Sequence, residues 1–330
     1  MGDGLMSDTE SNIFYAPLLS RYAESMLWLA RYIERIENLA RLIDVNETFV
    51  RLRTAVNGWQ CIIDINADAA PYFAHHDGIS GAEVIAFYVL DPENPNSIVS
   101  MAHAARENAR ALRPLISTEM WTQLNIFTDT IRRLTPADIA GNRLSMLCAR
   151  IKQECQTHAG ITEGTLFRDQ AWLFHQIGKH IERADQITRL IDIKYQALLP
   201  TIDAVGSEID LSQWTAVLRS AAAYHAFRRL CPNDLSPAIV VGFLLQNNGF
   251  PRSLSTSLRQ AHYAVHLLRS DYNLRGTAPI LERVEHLQAL LQGLSVNEII
   301  IGGLHEFLDG VQSELADIYN HIAEAFWPQP

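Results

Sequence analysis

The chain has 330 residues, 48% hydrophobic and 19% charged, with 17 Gly and 13 Pro spread along it rather than gathered in a linker. That composition suits a folded globular protein of one large or two ordinary domains. A net charge of −10 repels phosphate backbones and disfavours a general nucleic-acid binder, while Cys61, Cys148, Cys155 and Cys231 lack CxxC spacing and are too few to staple a chain of this size. A reducing compartment follows, the cytoplasm by default.

Residues 1–12 read as a disordered tail. No cationic segment leads into an apolar run, and no stretch of about eighteen uncharged apolar residues occurs, so neither a signal peptide nor a membrane span is expected. From residue 13 to 327 the periodicity is helical. Segments such as SRYAESMLWLARYIERIENLARLIDVNETFVRL, SIVSMAHAARENARALR, SLSTSLRQAHYAVHLLRS and NEIIIGGLHEFLDGVQSELADIYNHIAEAF place apolar residues at i, i+3, i+4 and i+7, and no alternating strand pattern is sustained. Breaks are expected at Pro71, DPENPNS, Pro136, AGITEG, Pro200, Pro232, NNGFPRS and RGTAP. Each half then holds about six helices, two of them long, with short connections and antiparallel neighbours.

The halves resemble each other. IERIENLARLIDV at residues 33–45 lies over IERADQITRLIDI at 181–193, with seven of thirteen positions identical, several of them polar. In the same order, FYVLDPENPNSIVSM from Phe87 lies over FLLQNNGFPRSLSTS from Phe243, so that Pro95 meets Pro251, Ser97 meets Ser253 and Arg113 meets Arg269. Amphipathic helices share apolar spacing by chance, but not polar identities. The expectation is a duplication with units of about 14–165 and 166–327, packed about a pseudo-twofold into one all-α helical-bundle domain.

On the first long helix, Trp28, Tyr32, Ile33, Ile36, Leu39, Ala40 and Ile43 form a stripe opposite Glu34. A solvated charged face is the plain reading. Two features point inward instead. Leu27, Ala30, Leu42 and Val45 share Glu34's side, and the polar set recurs as a unit: Arg31 with Lys179, Glu34 with Glu182, Arg35 with Arg183, Glu37 with Asp185, Arg41 with Arg189, and Asp44 with Asp192. Exposed pairs contribute little and have no reason to persist together, whereas losing one member of a buried pair strands the other. These twelve residues are therefore the candidate charged network or ligand site. A third Glu-Arg at Glu282 and Arg283 lacks the downstream Arg and Asp and reads as coincidence.

LLSRYAESMLWLARYIERIENLARLID, then SIVSMAHAARENARALR, GTLFRDQAWLFHQIGKHIERADQITRLID and FPRSLSTSL resemble, in order, the landmarks of the bacterial alpha-E family, helical proteins named for their Glu-Arg motif. The resemblance covers nearly the whole chain. It departs at Gln246-Asn247-Asn248, where an acidic residue is expected, so a role tied to that carboxylate does not carry over. Members are typically encoded beside, or fused to, a circularly permuted ATP-grasp protein, often near a transglutaminase-like one. The resemblance thus implies an accessory to peptide or amide ligation or its reversal, with an ATP-grasp partner; no cofactor is expected.

Ser97 and Ser253 are expected helix caps, and with Arg106, Arg110 and Arg252 they form a candidate anion site, although a plain capped helix start explains them as well. His262 and His266 at i,i+4, and His75-His76, lack a third ligand at a telling distance, so no metal is expected. No complete catalytic motif, neither GxSxG nor a phosphate loop, is present. Three functions remain open: a binding or scaffold protein working with an ATP-grasp-type ligase, an enzyme with a Glu general base and Arg anion clamp, and an oligomeric structural protein without a ligand.

Overall fold

The computed structural model describes residues 18–51, 58–198, 208–232 and 234–327, which leaves the expected tail and the Pro200 break outside the described residues. Among the described residues there are fourteen helices and no strand. The first seven are α1 (Ser20–Arg51), α2 (Gln60–Asn66), α3 (Ala69–Phe73), α4 (Gly81–Val89), α5 (Ile98–Ala111), α6 (Thr118–Arg132) and α7 (Asn142–Thr165). The next seven are α8 (Gln170–Leu198), α9 (Glu208–Ser220), α10 (Tyr224–Leu230), α11 (Pro237–Gln246), α12 (Leu254–Ser270), α13 (Thr277–Gly293) and α14 (Val296–Phe326).

Helix starts follow the local chemistry. Ser80, Ser97, Ser117, Ser253 and Ser295 each accept a hydrogen bond from the backbone N–H three residues on, satisfying a donor the helix cannot satisfy itself. Ser295 and Glu298 complete a capping box. The expected break at AGITEG does not occur: α7 runs through Gly160 and Gly164 to Thr165. Each interior Gly costs only about 1 kcal/mol relative to Ala, and the buried row Leu144, Cys148, Ile151, Cys155, His158 and Thr162 outweighs it by tertiary packing. Pro71 lies inside the first turn of α3, where its missing N–H disrupts nothing.

Helices α1 and α8 form the centre. Helix α1 packs on α5, α7, α8 and α9, and α8 packs on α12, α14, α1, α2 and also α9. Helices α5, α6 and α7 pack in succession, as do α12, α13 and α14. Both short helices that touch the opposite central helix end alike. Ala67 closes α2 with φ 57°, its N–H donating to Asp64 O and the N–H of Asp68 to Ile63 O. Ala222 ends α9 with φ 57°, its N–H donating to Arg219 O and the N–H of Ala223 to Leu218 O. This double bond pattern satisfies the last carbonyls of a helix.

Candidate functional site: crossed ion pairs between α1 and α8

Sequential contacts advance together along the two central helices, so they run side by side in one direction. The Leu18 N–H donates to Gln170 Oε1 at 3.3 Å, Gly178 lies against the Leu27 carbonyl, and Arg31 reaches Glu182. Gly178 permits the approach. A Cβ there would stand 2.3 Å from Leu27 O, closer than real atoms allow. Because the backbones are this near, the charged side chains on the facing sides are enclosed: Glu34 and Glu37 are each 5% exposed and Glu182 is 1% exposed.

The Glu-Arg pairs cross. Arg183 donates from Nε (2.9 Å) and Nη2 (2.5 Å) to Glu34 Oε1, while Arg35 Nε donates to Glu182 Oε1 at 2.5 Å. Arg31 Nε adds a bond to Glu182 Oε2 at 2.8 Å, its guanidinium lying over the Trp28 and Tyr319 rings. On the other side Arg252, from the turn before α12, donates to Glu34 Oε2 at 3.0 Å and to Glu37 Oε2 at 2.7 Å. Arg41 and Gln156 complete Glu37, and Arg189 Nε donates to Asp185 Oδ2 at 2.9 Å. Lys179 acts on Glu34 through its charge, with no hydrogen bond between them among the described residues.

Burial by itself would raise the Glu34 pKa, but Arg252 and then Arg183 outweigh it and hold the carboxyl far below its usual range. At Glu182, burial is likewise overcome, there by Arg35 and Arg31, and the pKa is lowered. Both groups stay ionised through the neutral range. Neither has the intermediate pKa that proton transfer at neutral pH asks of a general acid or base.

The remaining candidates lie as follows. Asp44 turns to α7, accepting from Lys152 Nζ and Ser145 Oγ at 2.6 Å each. Asp192 meets His305 Nδ1 at 2.8 Å, a hydrogen bond that raises the histidine's pKa. Ser97 and Ser253 are fully buried and cap α5 and α12. Arg106 donates to Asn125 Oδ1 at 2.6 Å, and Arg110 pairs with Glu107. Thus Arg252 joins the Glu-Arg network, whereas Arg106 and Arg110 find separate partners on and beside α5. Arg283 pairs with Glu314 and Asp317 on α14. His262 lies 2.9 Å from Glu285, and no group of three or more potential metal ligands occurs among the described residues.

Sequence reasoning missed how Arg252 is used, and it missed the polar wall around Asp68. That buried carboxylate accepts from Asn96 Nδ2 at 2.8 Å and from the Tyr88 hydroxyl at 3.1 Å. Asn96 and Arg252 occupy the same place in the two Pro-x-Ser segments, which was the available signal. A cavity of about 210 Å³ opens between Asn96, Arg35, Glu182, Asp185 and Arg189.

Residues 18–327 match a family described as Alpha-E, a predicted alpha-helical domain with a conserved ER motif. The chain belongs to the Alpha-E family. The crossed Glu34-Arg35 and Glu182-Arg183 pairs are Glu-Arg sequences of the kind that description names. This Alpha-E chain is similar to uncharacterised proteins of Mycobacterium bovis and Mycobacterium tuberculosis, 25% identical over 333 residues, a match covering 90% of this chain and 36% of each relative. It therefore spans little more than a third of the length of the curated relatives it matches. No solved structure matches it. Among the described residues no helix is long and apolar enough to cross a membrane.

Proposed function

We propose that this Alpha-E protein is a cytoplasmic binding or scaffold protein that acts with an ATP-grasp-type amide or peptide ligase and leaves the bond-making chemistry to that partner. One observation carries the reading: both central glutamates are fully engaged by arginine and held ionised, which suits a rigid binding frame and removes the most obvious general base. The length of the mycobacterial relatives supports it, since in them the region like this chain is joined to nearly twice its own length of other sequence. The ATP-grasp identity of the partner rests on the family resemblance; such enzymes form amides through acyl phosphates.

We also infer that the halves are duplicated units related by a pseudo-twofold between α1 and α8. The crossed pairs, the matching neighbours of the two central helices and the twin left-handed alanines all support this. So do Trp59 and Trp214, both buried and each eight residues before its alanine.

The test is co-purification of the full chain with a circularly permuted ATP-grasp protein from the same organism, followed by ATP turnover with and without this chain. A stable complex with altered turnover is expected. Unchanged turnover and no complex would overturn the accessory role.

A further inference from the structure

The cavity beside Glu182 is lined by charged and polar side chains and also by Leu39, Ile65 and Met101. At about 210 Å³ it is much larger than one water, whose share of liquid is about 30 Å³. Its hydrogen-bonding capacity is unevenly used. Glu182 is engaged on both oxygens, Oε2 by Arg31 and Oε1 by Arg35 and Gln186. Arg35 and Arg189 each spend only Nε on a carboxylate, and among the described residues their terminal nitrogens have no hydrogen-bond partner. Both arginines line the cavity. Asp185 uses Oδ2 for Arg189, and its Oδ1 has no hydrogen bond among the described residues.

The opening is not a general consequence of two helices crossing. At the corresponding place on the Glu34 side, Asn38, Arg183, Gln186 and Arg252 surround a space of only about 10 Å³. Arg252 fills that side with a long side chain, while Asn96, at the matching position, is short and is turned to Asp68. One half is plugged by the protein's own guanidinium and the other is left open.

We propose that the open side binds a small α-amino acid, its carboxylate held by the terminal N–H groups of Arg35 and Arg189 and its ammonium by Asp185 Oδ1. Guanidinium forks suit carboxylates, and these two are already oriented by their Nε bonds, so little order is lost on binding. The apolar lining residues receive the side chain. This deepens the accessory reading by giving the ligase system an amino-acid component, and it rests on that reading for its purpose but not for its geometry.

The experiment is calorimetric titration of the full chain, without any partner, with glycine, L-alanine and L-glutamate, and with acetate and methylammonium as half-ligands. Saturable binding of at least one amino acid is expected, with acetate and methylammonium each weaker by about tenfold or more, the worth of one charge-assisted contact. Arg189→Gln should weaken binding by about tenfold or more on the same ground while the melting temperature stays near that of the parent. Asn96→Arg should abolish binding by plugging the open side as Arg252 plugs the other. No saturable binding at millimolar ligand overturns the site. So does methylammonium binding as tightly as the amino acids, or binding that survives Arg189→Gln unchanged. Because no ligase is present, a silent titration beside an intact ligase complex would remove the site alone, and binding without a complex would remove the accessory role alone.

Discussion

Glu34 and Glu182 occupy matching places on two parallel helices, and each is neutralised by two arginines, yet the arginines come from different directions. Glu34 takes Arg183 from the opposite helix and Arg252 from the turn before α12, with Lys179 standing off. Glu182 takes both of its arginines, Arg31 and Arg35, from the opposite helix. Arg31 can do this because Trp28 and Tyr319 hold its guanidinium by cation–π contact. Once α1 supplies the second cation, the turn before α5 is relieved of the task, and a short Asn96 leaves a cavity where Arg252 leaves none. A repeated charge network thus keeps its electrical balance while one of its two sides becomes available to a ligand.

The largest expected effect tests whether the two sides differ in energy as they do in shape. Glu34→Gln strands Arg183, whose side chain is only 13% exposed, and leaves Arg252, 16% exposed, with Glu37 alone, so it should cost about 3–5 kcal/mol. Glu182→Gln strands Arg31 and Arg35, but Arg35 borders the open cavity, where water can solvate it, so a smaller loss is expected. Urea unfolding of both variants measures the difference. Equal losses would mean that the open side gives no electrostatic relief.

Acid should act through the histidines behind the Glu34 side before it acts on the glutamates. Burial lowers the His158 pKa to about 4, and burial followed by the Lys179 charge lowers that of His175 to about 3; His180 is lowered by burial and then by Arg183. The unfolded chain binds these protons near the ordinary histidine value of about 6.5, so their contribution is fully present above that pH and is lost as pH falls toward the folded values. The three together give a slope of up to about 4 kcal/mol per pH unit at the steepest. The glutamate pairs add to the loss below the ordinary carboxylate range, because their folded pKa values are depressed. Unfolding free energies at pH 7, 6 and 5 should therefore decline before any glutamate titrates. A flat profile over that window would show the histidines to be less enclosed than the structure has them.

Gly178→Ala should act on both sides at once. Its Cβ would press on the Leu27 backbone, which cannot swing aside as a flexible side chain does, so α1 and α8 must separate. A loss of about 1–3 kcal/mol is expected from overpacking. It should also loosen the amino-acid site, since Arg35 and Glu182 lie on the two helices being pushed apart.

The Glu-Arg register was legible because polar identities at helical spacing recur at one offset, and the mixed side around Glu34 already argued against a solvated face. The helical class was legible from periodicity alone. Arg252 reads as part of an anion site in the sequence because its position before a capped helix is a local fact, while its reach to Glu34 depends on how α12 lies against α8. The run of α7 through Gly160 and Gly164 was lost for a similar reason: glycine weakens a helix locally, and the opposing packing comes from residues distant in sequence. The cavity depends on a difference in side-chain length at Asn96 and Arg252, which matters only once the halves are superposed. Trp59 and Trp214, each eight residues before its left-handed alanine, are a further correspondence between the halves that is readable in the sequence once those alanines are located.

The smallest effect concerns the two serine caps. Ser97 accepts from the Ser100 N–H and donates to the Ser100 hydroxyl, while Ser253 accepts from the Thr256 N–H and has the Asn247 carbonyl 2.6 Å from its Oγ. Replacing either by Ala removes a cap worth about 1 kcal/mol. Ser253→Ala should cost the more of the two, because the carbonyl of Asn247, in the turn that carries Arg252, is left with only the 3.5 Å bond from Thr256 Oγ1, whereas the Ser100 hydroxyl also donates to the Pro92 carbonyl at 3.1 Å and keeps a good partner. The same variant should shift the stability difference between Glu34→Gln and its parent, since a loosened Arg252 has less to lose. Ser97→Ala should leave the corresponding difference at Glu182 unchanged. Double-mutant cycles on the two pairs read this coupling directly, and equal coupling on both sides would show that the turn before α12 is no more involved in the network than the turn before α5.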